Sequence, residues 1–234
     1  MLPARARGTG SAGTGRHGRR WWARTNGSSG PGISTSAPSS AATAARSRPP
    51  SENWTRWRPT SPLARGRIAH ARFLEGRDED PDELPLFERA ARLYGALGDA
   101  RGEAEASFWV GCFHQVVRND EGAAVPALER SLGLAAGVGD SLTESYALRH
   151  LGIAEHRAGR LDAARRRLEE STRLRREVGF LPGVAANLVG LAYIAAAEGR
   201  REDALALATE AGGIAEASGA QGVARQAEEA RARL

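Results

Sequence analysis

Glycine closes a long helical pattern at positions 98, 139, 179 and 219, so the intervals are 41, 40 and 40 residues. Local segments keep that register. "LPLFERA" (Leu84 to Ala90) precedes "VPALERS" (Val125 to Ser131) by 41 residues, and "RRLEES" (Arg166 to Ser171) follows the second by 40. A repeat of this size is one supersecondary unit that cannot cover its own apolar face and must stack on its neighbours. The chain is therefore expected to build an elongated stack of similar units.

Each unit divides into two helices. Ser141 with Glu144 reads S-x-x-E, a capping box at a helix start, and that helix is expected to run to about Arg157. Gly159 interrupts the pattern, and a second helix follows from Leu161 with Leu161, Ala164, Leu168, Ser171 and Val178 on one stripe. The same scheme gives helices near 101–118, 121–137, 183–197 and 201–217. An earlier helix ending near Leu97 has two possible starts, at Asp80-Pro81 with Glu83 or at Pro85. Val223, Ala227, Ala230 and Leu234 lie at helical spacing in the last stretch, as in a terminal capping helix. The expected organisation is all-α, with hairpins at about 63–98, 100–139, 141–179 and 181–219 and a capping helix at 221–234.

Leu151-Gly152, Gly159, Ala164, Leu168 and Ser171 read L-G-x6-G-x4-A-x3-L-x2-S. This resembles the tetratricopeptide repeat in spacing and residue type. Leu191-Ala192, Gly199, Ala204, Ala208 and Ala211 follow the same spacing, and Val110-Gly111, Ala124, Leu128 and Ser131 match with one extra residue in the turn. The period near 40 exceeds the family's usual period of about 34. The resemblance implies a right-handed α-solenoid that binds a protein or peptide on a concave face lined by the first helix of each hairpin. Carried over from Gly111, Gly152 and Ala192, the lining residues are Phe108, Cys112, Gln115, Arg149, Ile153, His156, Arg157, Val189 and Tyr193. Arg149 and Arg157 would pair with a carboxylate of the partner, while Phe108 and Tyr193 would hold apolar side chains.

The charge is divided unevenly. Residues 1–62 hold ten Arg against one acid, Glu52, a net of +9, while residues 63–234 hold 23 Arg against 27 acids, a net of −4. The first segment is rich in Gly, Ser, Thr, Pro and Arg without periodicity, so it is expected to be a disordered arm. "RRWWA" lacks the apolar run that a twin-arginine export signal needs. Gly8, Gly10 and Gly13 match G-x-G-x-x-G without the strand and helix that a phosphate-binding turn requires. Arg19, Arg20, Trp21, Trp22, Trp54, Arg56 and Trp57 suit single-stranded nucleic acid, making the arm the one place where nucleic-acid binding is expected. A competing reading makes 1–62 an upstream-start or frame-slipped product of GC-rich DNA. The absence of lysine fits such DNA and a bacterial source.

Catalysis and metal binding find little support. The single cysteine, Cys112, excludes an intramolecular disulfide and a Cys-based zinc site and suits a reducing cytoplasm. As a nucleophile it would need a base and oxyanion donors that the sequence does not place, so a packed thiol is expected. His70, His114, His150 and His156 show no zinc-motif spacing. Asp78, Asp80 and Asp82 begin like a calcium loop but put Glu83 and Arg89 where Gly and Glu are needed. The longest apolar run, Leu188 to Ala197, is about half of a membrane span. No cofactor, metal or membrane contact is expected.

The arginines of 161–177 are expected to form a wet outer face. Asp162, Arg166 and Glu170 are four-residue neighbours, as are Arg165, Glu169, Arg173 and Glu177, leaving Arg167 and Arg176 without partners on their own helix. Asn187 is expected to bond a neighbouring backbone group. The function expected is a non-enzymatic scaffold for protein or peptide binding. The alternatives are a ligand-sensing module acting with a transcriptional regulator, and nucleic-acid binding through the arm.

Overall fold

The computed structural model describes residues 61–234, so all but the last two residues of the expected arm lie outside the described residues. Nine α-helices follow one another there, with no strand among the described residues. They are α1 (Pro62–Gly76), α2 (Glu83–Leu97), α3 (Ala100–Val116), α4 (Glu121–Gly137), α5 (Ser141–Arg157), α6 (Leu161–Glu177), α7 (Leu181–Ala197), α8 (Arg201–Ala217) and α9 (Gln221–Arg231). Each helix packs on the one before and the one after it, and α1 also meets α3, α3 meets α5, and α7 meets α9.

The helices differ in how much of their surface is covered. Helix α5 is buried without a break from Ser145 to Ala154, and α7 from Gly183 to Ala192. Helices α4 and α8 bury single stripes instead: Ala124, Leu128, Ser131 and Ala135 on one, Ala204, Ala208, Ala211 and Ala215 on the other. Alternate helices thus form a covered layer and a half-wet layer, as the amphipathic patterns require.

Residue size sets how closely the layers approach. A Cβ on Gly111 would sit 2.6 Å from Leu128 Cγ, and one on Gly152 3.2 Å from Leu168 Cγ. At the equivalent crossing of α7 and α8, both positions are alanine, Ala192 and Ala208, each fully buried. Where alanine replaces the glycine on one helix, alanine also replaces the leucine on the other, which leaves room for the added Cβ.

Helix ends explain several boundaries. Asp99, Asp120 and Asp140 are N-caps, accepting from the backbone N–H groups of Gly102 (2.9 Å), Ala123 (3.0 Å) and Thr143 (3.2 Å). The expected capping box at Ser141 is corrected accordingly: Asp140 caps α5 and Ser141 is already helical. Helix α2 begins at Glu83 with Asp82 at its N-cap position, between the two expected starts at Asp80-Pro81 and Pro85. At the end of α6, Gly179 adopts φ 71° and the Phe180 N–H returns to Arg175 O (2.8 Å), closing the helix with a left-handed residue. Val178 therefore falls past the helix end and is 44% exposed, off the stripe expected for it. No helix among the described residues is long and apolar enough to cross a membrane.

Candidate functional site

Aligning the units at their observed spacing shows where the core departs from its own pattern. Positions 108, 149 and 189 carry Phe, Arg and Val; positions 106, 147 and 187 carry Ala, Ala and Asn; positions 135, 175 and 215 carry Ala, Arg and Ala. The three polar departures meet. Asn187 Oδ1 accepts from Arg149 Nη1 (2.9 Å) and Arg175 Nη1 (3.1 Å). Arg149 Nη1 also donates to Ala186 O (3.0 Å), and Arg175 Nη1 to Gly183 O (2.9 Å). Asn187 Nδ2 donates to Ser171 Oγ (2.8 Å), whose hydroxyl donates to Ser145 O (2.6 Å). Asn187 thus joins side chains of three helices, whereas the sequence suggested a backbone partner.

Both arginines are fully buried, and Arg175 has no carboxylate of the described residues within ion-pair distance. Its guanidinium lies 4.9 Å from the Tyr146 ring centroid and 5.6 Å from that of Phe180. Phe180 occupies the N-cap position that Asp99 and Asp140 fill in earlier units, so an aromatic face replaces a carboxylate. Burial pushes the Arg175 guanidinium down to about 10; burial and then the Arg175 charge push Arg149 down to about 9. Both are charged at neutral pH. Burial also raises the Tyr146 hydroxyl to about 12.

A second polar group joins α3, α4 and α5. His150 Nδ1 donates to Gln115 Oε1 (2.7 Å), while Gln115 Nε2 donates to His150 O (3.0 Å) and Glu121 Oε2 (3.0 Å). Arg157 pairs with the same Glu121. Burial, then the charges of Arg149 and Arg175, hold His150 well below the usual histidine range, so the ring is neutral.

The nine residues carried over by resemblance all lie on α3, α5 and α7. Phe108, Cys112, Gln115, Arg149, Ile153 and Val189 are buried, while His156, Arg157 and Tyr193 are half-buried. Phe108 packs on Trp109, Tyr146 and His150, with ring centroids 5.2 to 5.4 Å apart. Arg149 belongs to the Asn187 group and Gln115 and Arg157 to the Glu121 group. Tyr146, Ser171 and Arg175 were missed by the resemblance. Their signal was available in the register, since Arg175 stands where the adjacent units have alanine.

Cys112 lies beside an imidazole that the sequence did not place there. His70 Nε2 on α1 lies 3.8 Å from its sulfur, and His70 Nδ1 lies 2.7 Å from Glu83 Oε1 at the start of α2. All three residues are buried. Among the described residues no group of three or more His, Cys, Asp or Glu side chains is arranged to hold a metal ion.

The outer arginines find other partners than the helical spacing implied: Arg165 pairs with Asp162, and Glu170 with Arg173 in place of Arg166. Arg167 Nη2 donates to Glu129 Oε1 on α4 (2.7 Å), and Arg176 Nη2 to Glu210 Oε1 on α8 (2.9 Å). Arg173 bonds Glu170 and Glu177 within α6. Arg175 departs from the wet face altogether. The chain matches no protein-family model and no curated protein.

Proposed function

We propose that this chain is a tetratricopeptide-like, right-handed helical scaffold that binds a protein or peptide on the face formed by α3, α5 and α7, without catalysing a reaction. The observation that carries this reading is the set of half-buried polar and aromatic side chains on α5 and α7, namely His156, Arg157 and Tyr193. A stack of hairpins needs only small and apolar residues at its inner positions, as Phe108, Ala147 and Val189 illustrate. Arg149 and Asn187 occupy positions equivalent to these, and buried polar groups cost stability unless fully satisfied. Fully buried and bonded to each other, they join α5 to α7, while the half-buried His156, Arg157 and Tyr193 on the same helices suit a surface that reads a partner carrying carboxylate and apolar groups. The paired arginines on α6 suit a solvated outer face rather than a polyanion surface.

A photo-crosslinking residue placed in the full chain at Tyr193, and separately at Gly133 on the exposed face of α4, tests this. Partner adducts are expected from position 193 and not from 133. Adducts from 133 alone, or equally from both, would overturn the assignment of the face.

A further inference from the structure

Three helices separated by turns bring an acid, an imidazole and the chain's single thiol into line: Glu83 Oε1, His70 Nδ1 at 2.7 Å, and Cys112 Sγ 3.8 Å from His70 Nε2. We propose that Cys112 is a nucleophilic thiolate paired with the His70 imidazolium, with Glu83 as positioning residue, and that it takes small sulfur electrophiles of the disulfide class to give a mixed disulfide. This inference does not rest on the groove reading above.

The geometry assigns each group a part. Glu83 begins α2, is fully enclosed, and accepts the Nδ1 proton, which fixes the ring so that Nε2 faces the sulfur. The proton on Nε2 is then shared with the thiol, and the ring carries the positive charge that steadies a thiolate. Burial on its own lowers the basicity of His70, yet the charge and hydrogen bonds of Cys112 and Glu83 outweigh it and raise the imidazole to about 10. Other titratable groups nearby are Arg67, which lies 5.8 Å from the Trp109 ring centroid and pairs with Glu105, and His150, which is neutral.

Two atoms of the cluster keep unused hydrogen-bonding capacity. Trp109 Nε1 and Glu83 Oε2 are buried with no hydrogen-bond partner among the described residues. The Trp109 ring meets the imidazole edge-on, with centroids 5.3 Å apart, one helical turn before Cys112. A plain packing role for the thiol requires neither the relay nor the idle indole donor. The thiol is nearly enclosed, so the reagent must be slim.

In the reaction the Cys112 sulfur attacks one sulfur of the electrophile with its lone pair. A new S–S bond forms, the old one breaks, and the leaving sulfur departs with the electron pair, taking any proton from solvent. His70 keeps its own proton and no oxidant is consumed. Only one cysteine is present in the sequence, so no second thiol of this chain displaces the adduct.

The test is the rate of methyl methanethiosulfonate addition to the native full chain, followed by intact mass, from about pH 6 to about pH 8.5. That reagent forms a methyl disulfide and releases methanesulfinate. A thiol with the ordinary pKa near 8.5 slows about tenfold per unit of falling pH. Native protein is expected to change less than about threefold over the range, and His70→Gln about a hundredfold. Glu83→Gln is expected to fall between them. A native rate that follows the ordinary tenfold slope, or a thiol modified only after unfolding, would overturn the proposal. If His70→Gln loses its helical circular dichroism, the ultraviolet difference spectrum of native protein against Cys112→Ser decides. A thiolate band at about pH 6 supports the pairing and its absence rejects it.

Discussion

Arg149 Nη1 on α5 donates to Asn187 Oδ1 on α7 at 2.9 Å, inside a fully buried polar group whose other cation, Arg175, lacks a carboxylate among the described residues. One amide oxygen therefore serves two guanidiniums. Asn187→Ala would deprive both of it and is expected to destabilise the fold by about 2 to 4 kcal/mol, read as a lower urea midpoint. The triple change Arg149→Val, Arg175→Ala, Asn187→Ala installs residues found at the equivalent positions of adjacent units. Because it removes the buried charges together with their acceptor, it is expected to cost less than Asn187→Ala alone. A triple variant less stable than the single one would show that the polar group stabilises the stack outright.

The two buried histidines give stability opposite dependences on pH. His150 is held well below its ordinary value, so the unfolded chain takes up a proton that the fold refuses. Stability then falls as pH drops below about 6.5, by up to about 1.4 kcal/mol per unit for this group. His156, also lowered by burial and Arg157, adds in the same direction. Against the effect of burial, His70 is raised to about 10 chiefly by the charge of Cys112, and because the unfolded thiol keeps its own proton to about 8.5, the pair's contribution is lost as pH rises from there toward 10. Above about 9 the lowered arginines begin to oppose that loss. Unfolding midpoints across pH should show a shallower acid limb in His150→Gln and a shallower alkaline limb in His70→Gln.

Two glycine substitutions separate close approach from helix propensity. A Cβ at Gly111 would meet Leu128 Cγ at 2.6 Å, Leu128 Cδ2 at 2.8 Å and Ala124 O at 3.1 Å. Gly111→Ala is expected to cost about 1 to 3 kcal/mol, because the backbone oxygen cannot swing aside as a side chain can. Gly133 lies on the exposed face of α4 with nothing within 4 Å of such an atom. Gly133→Ala is expected to gain about 0.5 to 1 kcal/mol from reduced backbone entropy in the unfolded chain. Paired thermal melts check both signs.

The stacking of helices was legible because their determinants are local: a stripe such as Ala164, Leu168 and Ser171 recurs at fixed spacing, and Gly179 ends its helix through its own φ. Asp140 was passed over as a cap because Ser141 and Glu144 satisfied the pattern better, although Asp99 and Asp120 offered the same signal. The candidate site was legible only as positions on helices. Arg175 looked like one of a run of outer charges, and its burial depends on Asn187, Phe180 and Tyr146 from neighbouring elements. The Cys112 relay draws on residues 42 and 29 positions earlier, with no periodicity linking them. Arg167 found Glu129 across hairpins for the same reason: spacing within one helix says nothing of the helix beside it.

That last pair supplies a comparison between charges in water and charges in the core. Arg167 and Glu129 are partly exposed, with side-chain exposures of 29% and 46%, at a bond length of 2.7 Å. A double-mutant cycle with Arg167→Ala and Glu129→Ala is expected to give a coupling below about 1 kcal/mol that shrinks in high salt, since solvent screens both groups. The corresponding cycle with Arg175→Ala and Asn187→Ala involves a fully buried cation and a neutral acceptor, and is expected to exceed about 1.5 kcal/mol and resist salt. Equal couplings would mean that water reaches Arg175, and the inner layer would then be open where the structure draws it closed.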